Sequence, residues 1–327
     1  MNVGRFLVFL FVELLLAPLS LVGMIAFLVK LKLDNQPKGI SGTAYEPHWM
    51  RVLAHCVGTR SDECAYRLSQ ALPASSALIT NLVAQPTAIA ARISGYVPTL
   101  LSRPDKRPLS IMSMMGSRTA FFDDALENAQ GDVQQVVILG SGWDTRAYEA
   151  LRGWPNAIFE VDLPATLEAK INALDNAGID RTHVTYVATD FDQTNWLAAL
   201  QADGFDPDLR TFILWEGVTM YVSEDAIRAT LTHVAGLAPG SRIAFDYFSR
   251  EFINGEGRYR MLAAYAKFAI KLTYNEQFVF GVPMQPIAND AIAEFVFANG
   301  LAMDRFDMVG EDGGWSAVYG FASARTK

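Results

Sequence analysis

The chain has 327 residues, 35 acidic against 27 basic side chains, a net charge of −8 and 51% hydrophobic residues. This excludes a disordered chain, which combines low hydrophobicity with high charge, and a dominant nucleic-acid surface, which draws on clustered Lys and Arg. Cys56 and Cys64 are the two cysteines, too few for a disulfide framework, and the length fits about two domains or one large domain with a cap.

Residues 6–29 (FLVFLFVELLLAPLSLVGMIAFLV) carry a single charge, Glu13. As a helix they rise about 36 Å, enough to cross a hydrocarbon core with some tilt. The run ends at Lys30 and Lys32 without a small-x-small cleavage box, which favours an uncleaved anchor over a cleaved signal or an interfacial helix. Lys30, Lys32 and Lys38 outweigh Arg5 and the terminal amine, so the expected topology is a single pass through the cell membrane with the rest of the chain in the cytoplasm. Glu13 is expected near the interface rather than against another helix.

Residues 1–34 are therefore read as an anchor, 35–112 as a helical N-terminal cap and 113–327 as the catalytic domain. The cap is Ala/Leu-rich from 48 to 101, with breaks expected at Pro73, Pro86 and Pro98. Residues 76–101 read as a buried or membrane-surface helix pair, and 103–108 (RPDKRP) as a solvated turn. Beyond this the period changes. Short β-branched runs at 135–139, 157–162, 183–189, 211–215, 242–248 and 316–324, and a weaker one at 302–308, alternate with helical stretches such as 164–177 and 224–235. The pattern predicts an α/β doubly wound, mostly parallel sheet with an antiparallel edge.

The first strand runs into Gly140-Ser141-Gly142-Trp143-Asp144-Thr145-Arg146, a turn whose glycines let the backbone approach a ligand. Asp162, Asp190 and Glu216 end the next three strands. A carboxylate at these positions accepts from ribose hydroxyls, an adenine amino group and an ammonium respectively, and Phe191 follows Asp190 as a partner for a base. One such Asp would read as a helix cap; three with a glycine turn read as a cofactor cradle. Thr145 takes the place of the third glycine of a dinucleotide fingerprint, and Asp144 would repel a phosphate. The cradle therefore predicts a phosphate-free, positively charged cofactor, S-adenosyl-L-methionine.

These motifs, with Ser117-Arg118-Thr119-Ala120-Phe121-Phe122-Asp123-Asp124, Phe159-Glu160-Val161-Asp162-Leu163-Pro164, Thr189-Asp190-Phe191 and Leu214-Trp215-Glu216-Gly217-Val218-Thr219-Met220-Tyr221, resemble the leucine carboxyl methyltransferase-like class I methyltransferases, from about residue 113 onward. The resemblance implies a seven-stranded Rossmann-like methyltransferase sheet. It places Arg118 on the cofactor carboxylate, Gly140, Ser141 and Gly142 along the methionine portion, Asp162 on the ribose, Asp190 and Phe191 on the adenine and Glu216 near the amino group. It implies O-methylation, of a carboxyl group foremost, since that nucleophile is already ionised at neutral pH. Trp143 and Phe191 depart from the smaller residues of the family pattern.

Residues 250–280, containing RYRMLAAYAKFAIKL, form an insertion suited to a substrate lid. Tyr221, Tyr247, Arg258, Tyr259 and Arg260 are the candidate acceptor contacts. His183 and His233 are read as structural, and no catalytic acid or base and no metal site is assigned. The expected acceptor is a small lipophilic molecule met at the membrane, with no nucleic-acid partner. A membrane-tethered, catalytically silent binding module and a nicotinamide-dependent oxidoreductase are the competing readings.

Overall fold

The computed structural model describes residues 3–103, 109–154, 157–191, 195–285, 287–310 and 317–327. The segments read above as anchor and cap, together called the cap from here on, contain α1 (Val3–Lys30), α2 (Tyr45–Val57), α3 (Glu63–Ser69) and α4 (Ala77–Ser94). The remaining helices are α5 (Met114–Glu127), α6 (Pro164–Asn176), α7 (Trp196–Ala202), α8 (Glu224–Ala235), α9 (Arg250–Asn254), α10 (Arg260–Tyr274) and α11 (Ala288–Ala298). The strands are β1 (Gln135–Leu139), β2 (Ala157–Asp162), β3 (Val184–Ala188), β4 (Thr211–Trp215), β5 (Arg242–Phe248), β6 (Ala302–Val309) and β7 (Tyr319–Arg325).

The seven strands form one sheet in the order β3-β2-β1-β4-β5-β7-β6. Pairing is parallel from β3 to β5, and β7 runs antiparallel to both β5 and β6. Every residue of β1 (QVVIL) and β4 (TFILW) is buried, because helices cover both faces of the central sheet. The mixed seven-stranded sheet is the one expected from the alternation of short apolar runs and helices. The turn at 103–108 falls largely on residues 104–108, outside the described residues, as does Ser316, the expected start of the last strand. β1 has β2 on one side and β4 on the other. The chain thus runs outward from β1 through β2 to β3 and returns to β4 on the other side of β1, and the carboxyl end of β1 is where such a reversal leaves a crevice in an open α/β sheet.

α1 lies antiparallel along α4 for its whole length. Lys30 Nζ donates to the Ser75 carbonyl at 2.8 Å, Glu13 accepts from Thr87 Oγ1 at 2.9 Å, and the Phe6 and Phe9 rings sit 5.4 and 5.3 Å from that of Tyr96. Between these points Gly23 permits the close approach: a Cβ there would fall 2.7 Å from Leu82 Cβ. Glu13 thus faces another helix, not an interface, because Thr87 offers its carboxylate a donor. Pro86 does not break the chain; it is buried inside α4, which Ser76 caps at its start and Gly95, at φ +64, closes. Tertiary packing here outweighs the loss of one backbone hydrogen bond. The cap shares its core with the sheet: Phe27, Leu31, Tyr45 and Trp49 belong to one cluster with Trp143, Val136, Ile138 and Leu214.

Candidate active site

At the carboxyl end of the sheet a cavity of about 790 Å³ opens between the strand tips, the cap and residues 274–279. Arg118, Gly140, Ser141, Gly142, Asp162, Asp190, Phe191 and Glu216 all line it, as does Tyr221, whose ring lies 5.5 Å from that of Phe278. The sheet brings them together because parallel strands end their carboxyl termini on one edge.

The glycine turn after β1 has no room for side chains. Gly140 sits at φ +64, where a Cβ would lie 2.3 Å from Val218 Cγ2; Gly142 sits at φ +40, with Ala44 Cβ 3.0 Å from the Cβ position. Gly140→Ala is expected to cost about 1–3 kcal/mol in backbone strain, with the clash added, and to lower the melting temperature. Gly131→Ala, at φ +84 with nothing within 4 Å, carries the strain alone. Equal shifts in the two variants would remove the steric argument.

Asp162 faces this turn. Its Oδ2 accepts from the Gly142 amide at 2.6 Å and its Oδ1 from the Leu163 amide at 2.7 Å. Burial raises the carboxyl above its usual range, against the pull of those amides. Each oxygen keeps a further lone pair for a ligand hydroxyl.

Glu216 is not an isolated acceptor. Its Oε2 meets Arg146 Nη1 at 2.6 Å and Arg51 Nη2 at 3.1 Å, and its Oε1 meets Arg118 Nε at 3.1 Å. Burial opposes its charge, but Arg146, Arg51 and Arg118 hold the carboxyl below its ordinary range. Asp144 is likewise bound, at 2.8 Å to Arg51 and 2.6 Å to Arg146, so it does not present the bare charge that its place in the sequence implies. Arg146 also pairs with Asp123 at 2.7 Å. Behind Arg118, Asp246 accepts from Tyr319 Oη at 2.6 Å and from the Gly217 amide at 2.7 Å; burial pushes its pKa up to about 6 against the nearby Arg118.

Sequence reasoning missed Arg51, Glu46 and Glu276, which bring the cap and the insertion to the cavity. Arg51 had a legible signal, a charge among the buried residues Tyr45, His48, Trp49, Val52 and Cys56 of α2. Glu276 had none. It accepts from the Gly42 and Thr43 amides at 2.9 and 3.2 Å and from Thr43 Oγ1 at 2.6 Å, joining points 233 or more residues apart. Glu46 lines the cavity beside Tyr274, and burial raises its carboxyl above the usual range.

The other acceptor candidates lie elsewhere. Tyr247 is adjacent to Asp246 on β5 and therefore faces the opposite side of the sheet, buried against Gly320. Tyr259 is buried and donates to the Ala317 carbonyl at 3.2 Å, while Arg258 and Arg260 are exposed; none of the four lines the cavity. Of the insertion, Tyr274 and the five residues after it reach the cavity. Trp143 is 2% exposed and packs on the Tyr45 ring at 5.2 Å, so the core absorbs its bulk. His183 bonds to the Ala147 carbonyl at 2.9 Å and His233 stacks edge-on to Trp196; neither lines the cavity.

A doubly wound sheet with a glycine turn after β1 and a carboxylate at the tip of β2 defines a protein that binds a nucleoside-bearing cofactor. The model of the leucine carboxyl methyltransferase family matches residues 61–235, more than half of the chain, and the chain belongs to that family. The match begins inside the cap, well before residue 113, so the family pattern reaches further toward the N-terminus than the sequence motifs indicated. A protein of Mycobacterium marinum, provisionally named an S-adenosyl-L-methionine-dependent methyltransferase, is 36% identical over 158 residues, 47% of this chain and 52% of the relative. A Mycobacterium avium protein of the same provisional name is 34% identical over 218 residues, 64% and 72% of the two chains. Apart from the latter, the chain spans about half the length of the curated relatives it matches. Magnesium protoporphyrin IX methyltransferase from Synechocystis PCC 6803, solved with S-adenosylhomocysteine, aligns at 11% identity and a TM-score of 0.42, covering 68% of this chain and 90% of that one.

Proposed function

We propose that the protein is an S-adenosyl-L-methionine-dependent O-methyltransferase acting on a small lipophilic acceptor at a membrane. The charge of the cavity carries this reading. Among the described residues it is lined by six carboxylates; Arg51, Arg118 and Arg146 offset those of Asp144 and Glu216, and those of Glu46, Asp162, Asp190 and Glu276 remain with no further Lys or Arg side chain on the lining. Such a lining disfavours a pyrophosphate and favours a cationic cofactor.

In this reading Asp162 takes the ribose hydroxyls, Asp190 and Phe191 the adenine, and Gly140 and Gly142 leave room for the chain between them. Arg118 takes the carboxylate end. Glu216, its charge already shared among three arginines, positions Arg118 more than it receives the ammonium. The bound cofactor supplies a methyl group on a sulfonium. The chain's own contribution is to hold the acceptor oxygen in line with that methyl and to exclude water. Met220, Phe248 and Phe278 give the cavity an apolar wall for the acceptor.

A carboxylate acceptor accords with the family. One observation favours a hydroxyl instead: Glu46 is a buried carboxylate of raised pKa on the cavity wall, a candidate base. Extracts methylated with labelled donor and then treated with base decide between them. An ester releases its label as methanol; an ether retains it. With a hydroxyl acceptor, Glu46→Gln is expected to lower turnover about 100-fold or more and to abolish the rise of rate with pH as Glu46 loses its proton. With a carboxylate acceptor, both stay near wild type. Absence of transfer to any oxygen acceptor, despite cofactor binding, would overturn the enzyme reading in favour of a silent binding module.

A further inference from the structure

α1, with the turns that continue it to Lys38, is long and apolar enough to cross a membrane by length and composition, and its most apolar 18 residues have a mean hydropathy of 2.4. We infer that it instead lies in the plane of the membrane, and that it forms with α10 an anionic-lipid-binding surface beside the mouth of the cavity. The inference rests on the membrane association proposed above.

The packing of α1 supplies the first argument. Its docked stripe, Phe6, Phe9, Glu13, Ser20 and Gly23, follows α4 and takes up the two polar side chains of the helix interior, Glu13 and Ser20, while Phe27 packs on Tyr45 and Trp49 of α2 and the charged Arg5 and Lys30 lie at the helix ends. The opposite stripe, with Leu7, Phe11, Leu14, Leu15, Val22 and Ile25, is exposed and wholly apolar. α4 is itself fixed to the folded body: Asn81 accepts from Tyr66 Oη of α3 at 2.8 Å, and α4 packs on α2, which carries His48 and Arg51 to the cavity. A spanning α1 would drag α4, with exposed Asn81 and Arg92, into the hydrocarbon. An in-plane α1 leaves every polar group where it is and gives lipid only the apolar stripe.

α10 supplies the second. Met261, Tyr265, Phe268 and Leu272, spaced four, three and four residues apart, are 57–85% exposed on one face. Every charge on this helix is positive: Arg260, Lys267 and Lys271, with no acidic residue in its sequence. On a chain of net charge −8 this is a local reversal of sign, and a basic amphipathic helix complements an anionic bilayer. The segment that follows α1 meets the carboxyl end of α10, where Gln36 Nε2 donates to the Thr273 carbonyl at 2.9 Å. Exposed Lys32, Leu33 and Lys38 stand on the α1 side of this junction and Leu272 on the other. Gln36, Gly39 and Tyr274, at the same junction, line the cavity. A lipophilic acceptor therefore has its entrance at the bilayer surface.

The full chain, tagged at both termini, is tested in sealed inverted membrane vesicles. An in-plane α1 leaves both tags open to external protease; an N-terminal tag protected until detergent is added overturns the inference. Purified protein is then floated with phosphatidylglycerol–phosphatidylcholine vesicles and with phosphatidylcholine alone. Phe268→Glu is expected to weaken binding to the former roughly tenfold or more at unchanged melting temperature, and high salt to weaken it further. Unchanged partition of the variant overturns the role of α10. Absence of wild-type binding to either vesicle, or a soluble dimer that Phe268→Glu dissociates, overturns the lipid surface; the former also removes the membrane association proposed above, and neither touches methyl transfer.

Discussion

Asp162→Ala is expected to raise the dissociation constant for S-adenosyl-L-methionine roughly 100- to 10,000-fold. The proposed role gives this carboxylate two charge-assisted hydrogen bonds to ribose hydroxyls, each worth about 1.5–3 kcal/mol, and about 1.4 kcal/mol is a factor of ten. The variant also frees the Gly142 and Leu163 amides, so the turn that shapes the cavity loses its anchor. Asp162→Asn separates the two effects. Its amide oxygen still accepts from one backbone amide, so the turn holds better, but one hydroxyl then faces a donor. Calorimetric titration of cofactor against the wild type and both variants, each checked for a cooperative melt, reads the result. Wild-type affinity in Asp162→Ala would end the ribose assignment.

The largest effect on stability is expected for Arg146→Met. Arg146 is buried and contacts the carboxylates of Asp123, Asp144 and Glu216, at 2.7, 2.6 and 2.6 Å. Removing one partner of a buried ionic cluster leaves uncompensated charge and costs about 3–5 kcal/mol, a fall of about 4–7 °C in melting temperature for a chain of this size. The exposed Arg228–Glu224 pair, at 2.6 Å, is the comparison; its removal is expected to change little because water screens it. The pH dependence fixes the mechanism. Burial opposes the charge of Asp123 and Asp144, but Arg146 with Arg60 or Arg51 holds both carboxyls below their ordinary range. A depressed folded-state pKa contributes stability above the unfolded value, and that stability is lost as pH falls through the folded value. The variant lacks the depression, so its deficit is full at neutral pH and narrows below about pH 4. A deficit independent of pH would point to lost packing instead.

Much of the sheet was legible before any coordinates. β1, β2, β4 and β5 are short runs of mostly apolar or β-branched residues between turns, β2 and β5 with one interior acid each (Glu160 and Asp246), and their boundaries coincide with the expected ones. The cap was less legible. Pro86 in α4 and Pro18 in α1 sit inside continuous helices, because the pairing of α1 with α4 stabilises both where local propensity would interrupt them. At the site, the tips of β1, β2, β3 and β4 converge as their spacing predicts, since parallel strands carry their ends to one edge. Tyr247 failed as an acceptor contact through strand alternation: its neighbour Asp246 faces the Arg118 side.

The amino-acid sequence alone determined the α/β class, the family and the row of carboxylates at the strand tips, because each depends on residues close in the chain or on a regular repeat. Only the tertiary structure decided that Glu216 and Asp144 are neutralised by Arg51 and Arg146, that Glu276 fastens the insertion to the cap, and that α1 lies along α4 rather than standing free. Those outcomes join side chains tens to hundreds of residues apart. The electrostatics of a buried carboxylate and the exposure of an apolar helix face are set by what folding brings against them, which no local pattern records.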